Sequence, residues 1–330
     1  MLFNTSKNLI THSIKDAEVL IIIDGHNLAW RTHTAKGFPS TFKNSSGYPT
    51  GHIYLTITKL WALIKAYSLR NDKKFCLVYS FDEYSDNRRK YFKKYKEGRN
   101  KEFETVVLVD PLGTESSKEV NHIEDVKGLL SLLPHTDLSI PTKDAETDDI
   151  IATFVKKINK KYPKKKIYIL TTDKDMWALT NDNVTVTRKP KEEITKDIIK
   201  EKFGTKNPKK VCLAKSLLGD ESDKIPKIPK ATVKSVGSLI RKCKKEKGEN
   251  WFDAFYRYME TQDISKELKS NLLSHKKKHR VYYNKIFKLK TKLSIKSSSY
   301  KGNIDDAMLL LNHYGMGIKT KNIVKEIFSC

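Results

Sequence analysis

The sequence predicts an α/β protein with a central, mostly parallel sheet flanked by helices, and three observations carry that prediction. Short β-branched apolar runs at residues 19–23, 75–81 and 167–172 alternate with stretches of helical periodicity, the pattern of buried parallel strands joined by crossover helices. Each run leads into an aspartate: Asp24, Asp82 and Asp173. A further acidic cluster, Glu146-Thr147-Asp148-Asp149, opens a helical segment between them. Ligands of open α/β sheets bind beyond the carboxyl ends of the strands, so these acids should converge on one edge.

Taken in order, residues 1–17 show no periodicity and read as a loose leader. The first strand turns at Asp24-Gly25 into a long polar connection, residues 37–51, broken by Pro39 and Pro49. Residues 52–69 read as an amphipathic helix, with Ile53, Ile57, Leu60, Ile64 and Tyr67 at helical spacing. After the second strand no further strand is expected until about residue 167. That interval holds a basic stretch studded with aromatics, Arg88-Arg89-Lys90-Tyr91-Phe92-Lys93-Lys94-Tyr95-Lys96, read as helical, and a helix over residues 119–133 ending at Pro134. Residues 146–157 form another helix, with Ile150, Ile151, Phe154 and Val155 facing inward. A short strand is expected at residues 185–191. From about residue 195 the pattern reads as all-helical and lysine-rich, with a boundary near residues 204–208. Trp251, Phe252, Phe255 and Tyr258 have the spacing of a helix core face.

The 330 residues carry 64 Lys and Arg against 39 Asp and Glu, a net charge of +25. A surplus of this size favours a polyanionic partner, whose phosphate contacts make binding salt-dependent; a solvated lysine-rich surface explains it less specifically. Cys76, Cys212, Cys243 and Cys330 form no C-x-x-C pair and fit thiols of a reducing compartment. No signal-like stretch occurs near the start, and no apolar run approaches the roughly twenty residues of a membrane helix. An intracellular, cytoplasmic protein is expected, of a bacterial host if phage-encoded.

Asp24 and Asp82 alone are as well explained as helix caps or turn residues. The cluster at residues 146–149 also complements a helix dipole, worth about 0.3–1 kcal/mol per charge, but three packed carboxylates repel one another unless a cation neutralises them. Asp173-Lys174-Asp175 and Gly219-Asp220-Glu221-Ser222-Asp223 complete the set, with Asp220 and Asp223 placed to share one helical face. Carboxylates without clustered His or Cys select Mg²⁺ or Mn²⁺ over Zn²⁺. Two such ions activate a water and steady the leaving oxygen of a phosphodiester. No phosphate-cradling glycine loop and no Ser–His–Asp or Cys–His arrangement stands out, and His26 reads as a neighbour of Asp24.

In this order, the motifs resemble those of the 5′-nuclease superfamily: flap endonucleases, the 5′–3′ exonuclease domains of bacterial DNA polymerases, and the phage ribonuclease H-type branch. Asp24-Gly25-His26-Asn27-Leu28 with Arg31 is similar to the first metal motif, and Asp82 stands where the second aspartate is expected. Tyr95-Lys96-Glu97-Gly98-Arg99 resembles the segment at the base of the family's helical arch. Residues 146–149, 172–175 and 219–223 resemble its E-A-D-D, T-D-x-D and G-D-x-x-D motifs. The likeness spans about residues 19–234.

The resemblance implies a metal-binding core over residues 18–205, an arch at about residues 84–135, and a helical, duplex-binding region over residues 206–330. Asp24, Asp82, Glu146 and Asp148 would hold one Mg²⁺, and Asp173, Asp175, Asp220 and Asp223 the second, with Mn²⁺ able to substitute. Asp149 would ligate directly or through water. Lys96 and Arg99 would grip the scissile phosphate. Arg88, Arg89, Lys93, Lys94 and Tyr95 would line the path of a single-stranded 5′ end. The implied activity is hydrolysis of 5′ flaps and ends of branched or nicked DNA, and of RNA primers in RNA–DNA hybrids, in DNA replication and repair.

The family's glycine-rich hairpin, which holds duplex DNA partly through a monovalent cation, is replaced by Lys224-Ile225-Pro226-Lys227-Ile228-Pro229-Lys230-Ala231-Thr232-Val233-Lys234. Lys227, Lys230 and Lys234 are expected to hold the duplex by charge instead. Two rival readings are a haloacid-dehalogenase-like phosphatase and a catalytically silent fork-binding protein. The first wants an acid where His26 stands; the second leaves the full set of acids without a use.

Overall fold

The computed structural model describes residues 13–35, 42–69, 72–81, 88–97, 104–109, 115–140 and 145–329. Most of the expected leader, together with Asp82 and Arg99, lies outside the described residues. Six strands form one sheet: β1 (Val19–Asp24), β2 (Phe75–Ser80), β5 (His135–Ser139), β6 (Lys166–Leu170), β7 (Val184–Thr187) and β8 (Lys296–Tyr300), in the order β7-β6-β1-β2-β5-β8. All neighbours pair parallel except β8, which runs antiparallel to β5. The strand β1 sits between β2 and β6, with Asp24 opposite Ser80 and Ile23 opposite Leu170.

The period of two along β1 divides the core. Leu20 and Ile22 face one layer with Cys76, Val78, Ile167 and Ile169. Val19, Ile21 and Ile23 face the other with Phe75, Leu77 and Tyr79. On the first face lie α4 (Thr147–Lys161), α5 (Lys196–Phe203), α6 (Val211–Leu218), α7 (Val233–Lys242), α8 (Trp251–Glu260) and α9 (Lys266–Ser274). On the second lie α1 (Gly25–His33), α2 (Gly51–Tyr67) and α3 (His122–Leu132). Helix α10 (Lys276–Val281) continues into a π-helical turn, Tyr282–Phe287, whose Tyr282, Tyr283, Ile286 and Phe287 pack into the first layer. The chain then returns through β8 to α11 (Ile304–His313) and α12 (Ile318–Ser329), which cover the second face.

Three sequence expectations are corrected here. The basic stretch Arg88–Glu97 runs as consecutive turns, not a helix. The interval expected to lack strands contains β3 (Glu104–Val109) and β4 (Glu115–Val120), a separate antiparallel pair, and then β5. The C-terminal region is not all-helical, because β8 joins the sheet edge. Its Lys-Ser-Ser-Ser-Tyr sequence is exposed on both faces, so backbone pairing with β5 holds it without an apolar pattern to reveal it. Among the described residues no helix is long and apolar enough to cross a membrane.

Candidate metal centre

The parallel register brings the strand ends to one edge, where the acids gather. Asp24 closes β1 and caps α1, accepting from the Asn27 amide at 3.1 Å and from Thr171 Oγ1 at 2.9 Å. Glu146 is the N-cap of α4, and Asp148 and Asp149 fill that helix's first turn. Asp173 follows β6 and accepts from the Asp175 amide at 2.8 Å; Asp175 opens the 3₁₀ turn Asp175–Leu179. Asp220 caps the short 3₁₀ turn Glu221–Asp223, accepting from the Ser222 amide at 2.9 Å and Ser222 Oγ at 2.6 Å. The antiparallel bridge between Asp220 and Ile225 holds that loop closed. Gly219, at φ 75°, makes the approach possible: a Cβ there would lie 2.5 Å from the Lys227 nitrogen.

Asp148, Asp173 and Asp175 each place a carboxylate oxygen within 4.8 Å of the others. Burial, together with the charge of Asp173, pushes the Asp148 carboxyl well above its usual range. Burial raises Asp175 and Asp223 too, with neighbouring carboxylates adding to the effect. Like-charge crowding of this kind is relieved by cations; among the described residues Lys96, Arg88 and Lys215 reach into the cluster, and Lys290 lies 4.0 Å from Asp149.

Lys96, held in the left-handed region at φ 53°, donates to Glu146 Oε2 at 2.7 Å. Burial opposes its charge, yet Tyr95, Glu146 and Asp148 keep its pKa well above the ordinary value. Arg88 lies 3.3 Å from Glu146, 3.4 Å from Asp149, and 4.0 Å from both Asp148 and Asp175. Lys215, fully buried on α6, bonds Asp175 Oδ1 and lies 2.8 Å from Asp220 Oδ2. Its ammonium outweighs the burial of Asp220 and holds that carboxyl down to about 2.

The residues assigned to nucleic acid are distributed unevenly. Arg88 and Tyr95 are buried, at 5% and 2% exposure, with Arg88 Nη1 donating to the Tyr95 hydroxyl at 3.0 Å, so they brace the acids and present no open face. Tyr95 in turn donates to Glu146 at 3.3 Å. Arg89 is half-buried and donates to the Tyr95 carbonyl at 3.2 Å, while Lys93 and Lys94 are exposed. Arg31 donates to the Arg188 carbonyl at 2.8 Å. Lys227, Lys230 and Lys234 are all exposed beside the Gly219 loop. Lys224 and Lys230 adopt φ 60° and 63°, so the hairpin keeps left-handed turns without glycine at those places.

Asp149 differs from the other acids. Its Oδ1 accepts from the Lys290 amide at 2.7 Å and from Arg88 Nη2, so it ties the C-terminal segment to the site. Lys215 and Lys290 escape a reading of the sequence alone. A lysine inside the apolar run Val211–Leu218, just before Gly219-Asp220, is the available signal for the first; nothing local marks the second.

The donors are carboxylate oxygens, a set that suits a hard divalent ion, and their repulsion fits such an ion. Comparison with known proteins agrees. Residues 19–204 match the family model described as the 5′-3′ exonuclease, N-terminal resolvase-like domain. A 5′-3′ exonuclease of Buchnera aphidicola subsp. Acyrthosiphon pisum is 31% identical over 224 residues, covering 68% of this chain and 70% of that protein. The fold is similar to bacteriophage T5 5′-exonuclease with bound zinc, at TM-score 0.56 and 18% identity, covering 94% of this chain and 98% of that one. It is similar also to a bacteriophage T5 flap endonuclease in a pseudo-enzyme-product complex with DNA and metal ions, at TM-score 0.54 and 16% identity, covering 94% and 100%. With acids, fold and family model in accord, the chain belongs to the 5′–3′ exonuclease family and is a phosphodiester hydrolase.

Proposed function

We propose that this enzyme is a structure-specific 5′-nuclease that uses two Mg²⁺ ions to cut 5′ flaps and ends of branched or nicked DNA, and RNA primers in hybrids, during replication and repair. The observation that carries the reading is the convergence of acids from β1, α4, the β6 end and the Gly219 loop on one sheet edge, interleaved with Lys96.

In this reading Asp24, Asp82, Glu146 and Asp148 hold one ion, and Asp173, Asp175, Asp220 and Asp223 the other. Bound there, the ions supply an activated water and neutralise the leaving oxygen. Lys96 stands ready to exchange Glu146 for a substrate phosphate, because its side chain keeps 27% exposure while Glu146 keeps 6%. Arg99 joins it, and the pair offsets charge that develops on the phosphoryl oxygens. Lys215 orients Asp175 and Asp220 and stays out of the chemistry. Lys227, Lys230 and Lys234 grip the duplex from the hairpin, within a duplex-binding region that begins near residue 206.

The test compares a 5′-labelled flap, a nicked duplex and an RNA–DNA hybrid in Mg²⁺ or EDTA, with Asp148→Asn as control. Metal-dependent cutting near the junction, lost in the variant, supports the reading. Tight fork binding without turnover in Mg²⁺ or Mn²⁺ would replace it with a silent binder.

A further inference from the structure

Beyond the site, one basic surface is organised in a way the hairpin lysines do not explain. Between the π-helical turn and β8 the chain runs as irregular backbone against α4. Leu289 is buried and Thr291, Leu293 and Ile295 are half-buried, while Lys288, Lys290 and Lys292 are exposed. This alternation turns the three lysines toward solvent and the intervening residues toward the protein. Helix α4 contributes Lys156, Lys157, Lys160 and Lys161, all exposed.

The two rows touch each other. Thr153 Oγ1 donates to the Lys290 carbonyl at 3.1 Å, Lys156 Nζ to Thr291 Oγ1 at 3.2 Å, and Lys157 Nζ to the Leu293 carbonyl at 3.3 Å. Both therefore run in the same direction. The ladder begins at the metal centre, where the Lys290 amide bonds Asp149, and leads away from it.

Lys290, at the start of the ladder, lies 4.0 Å from Asp149 Oδ2; the other lysines are placed differently. Among the described residues, no ion pair joins Lys156, Lys157, Lys160, Lys161, Lys288 or Lys292 to a carboxylate. In the basic cluster at residues 276–280, Lys276 pairs with Glu260 at 3.2 Å and Arg280 with Asp253 at 2.9 Å, while Lys277 and Lys278 have no carboxylate partner among the described residues. Exposed cations set side by side repel one another, and a polyanion relieves that repulsion. The segment also adjoins the turns that carry Tyr91 and Phe92, since Lys285 lies 5.3 Å over the Tyr91 ring and Phe92 meets Tyr282 edge-on at 5.7 Å.

We propose that this lysine ladder is a second nucleic-acid track, distinct from the duplex-gripping hairpin, along which a single strand runs away from the metal centre. The inference rests on the proposed 5′-nuclease reading and deepens it by naming where the strand beyond the cut lies. A single strand suits the surface because the ladder is a line of cations on one edge; a duplex would ask for a broader concave face.

The test uses the full chain in EDTA, with fluorescence anisotropy of a labelled oligothymidylate and of a blunt duplex across a salt series. Variants are Lys288→Gln with Lys292→Gln, Lys160→Gln with Lys161→Gln, and all four together; none of these side chains touches the acids. Each phosphate that is no longer neutralised should lower the single-strand salt slope by about 0.7, so the fourfold variant should drop by between about 2 and 3 and bind roughly tenfold or more weakly at low salt. Duplex binding should not change. Unchanged single-strand affinity and slope would overturn the track, and so would an equal fall in duplex binding. Metal-dependent cleavage by the unaltered enzyme is read separately: its absence removes the nuclease reading, whereas its presence with unchanged strand binding removes only the track.

Discussion

Replacing Lys215 by Met removes one charge from the middle of the acid cluster while nearly keeping the side chain's length. In the native chain the Lys215 ammonium, 1% exposed, bonds Asp175 and lies 2.8 Å from Asp220. Both carboxylates would lose that partner without gaining water. Deleting one member of a buried ion pair costs about 3–5 kcal/mol. At about 2 °C per kcal/mol for a chain of this size, that lowers the melting temperature by roughly 6–10 °C in EDTA at pH 8.

The pH dependence has a definite sign. Asp220 is held down to about 2 by Lys215, below its unfolded value. Its contribution is therefore fully present above the unfolded pKa and lost as pH falls through the folded one. Lys215→Met raises that carboxyl, so the deficit should be largest at neutral and alkaline pH and shrink toward pH 4. Added Mg²⁺ should narrow the gap, because loss of the competing ammonium lets the variant bind the ion more tightly than the native protein, and stabilisation grows with ligand concentration over the dissociation constant. Differential scanning calorimetry at pH 8 and pH 5, with EDTA or Mg²⁺, reads all of this. A variant that melts with the native protein at pH 8 in EDTA, or gains nothing extra from Mg²⁺, would refute the reasoning.

Three further outcomes are expected. Asp148→Asn should abolish cleavage of a 5′ flap while leaving anisotropy-measured DNA binding in place; full turnover would remove Asp148 from the ligand set. Gly219→Ala should destabilise the fold by more than about 1–3 kcal/mol in urea titration, because φ is 75° and the new Cβ would meet the Lys227 nitrogen at 2.5 Å; a neutral result would mean that the loop relaxes freely. The triple change Lys227→Gln, Lys230→Gln, Lys234→Gln should lower the duplex salt slope by about 0.9 for each phosphate left without its lysine, and an unaltered slope would place the duplex elsewhere.

The parallel strands were legible because burial on both faces demands unbroken apolar runs, and residues 19–23, 75–80 and 167–170 have them. The acid motifs were legible because they sit at strand ends or helix starts, as local patterns. Arg88–Glu97 reads as a helix in sequence and is not one: its mix of cations and aromatics is compatible with an amphipathic face, yet Arg88 and Tyr95 are drawn inward onto Glu146. Lys96 in the left-handed region then has no place in a helix.

By itself the sequence determined the α/β class, the net positive charge and the acidic motifs at strand ends and helix starts. Those follow from composition and from patterns a few residues long. Tertiary structure alone decided which cations neutralise those acids, that Asp149 bonds the Lys290 amide 141 residues away, and that Lys-Ser-Ser-Ser-Tyr becomes an edge strand. The physical reason is common to all three. Desolvated charges and backbone hydrogen bonds take their partners from whatever the fold brings near, and spacing along the chain carries no record of that.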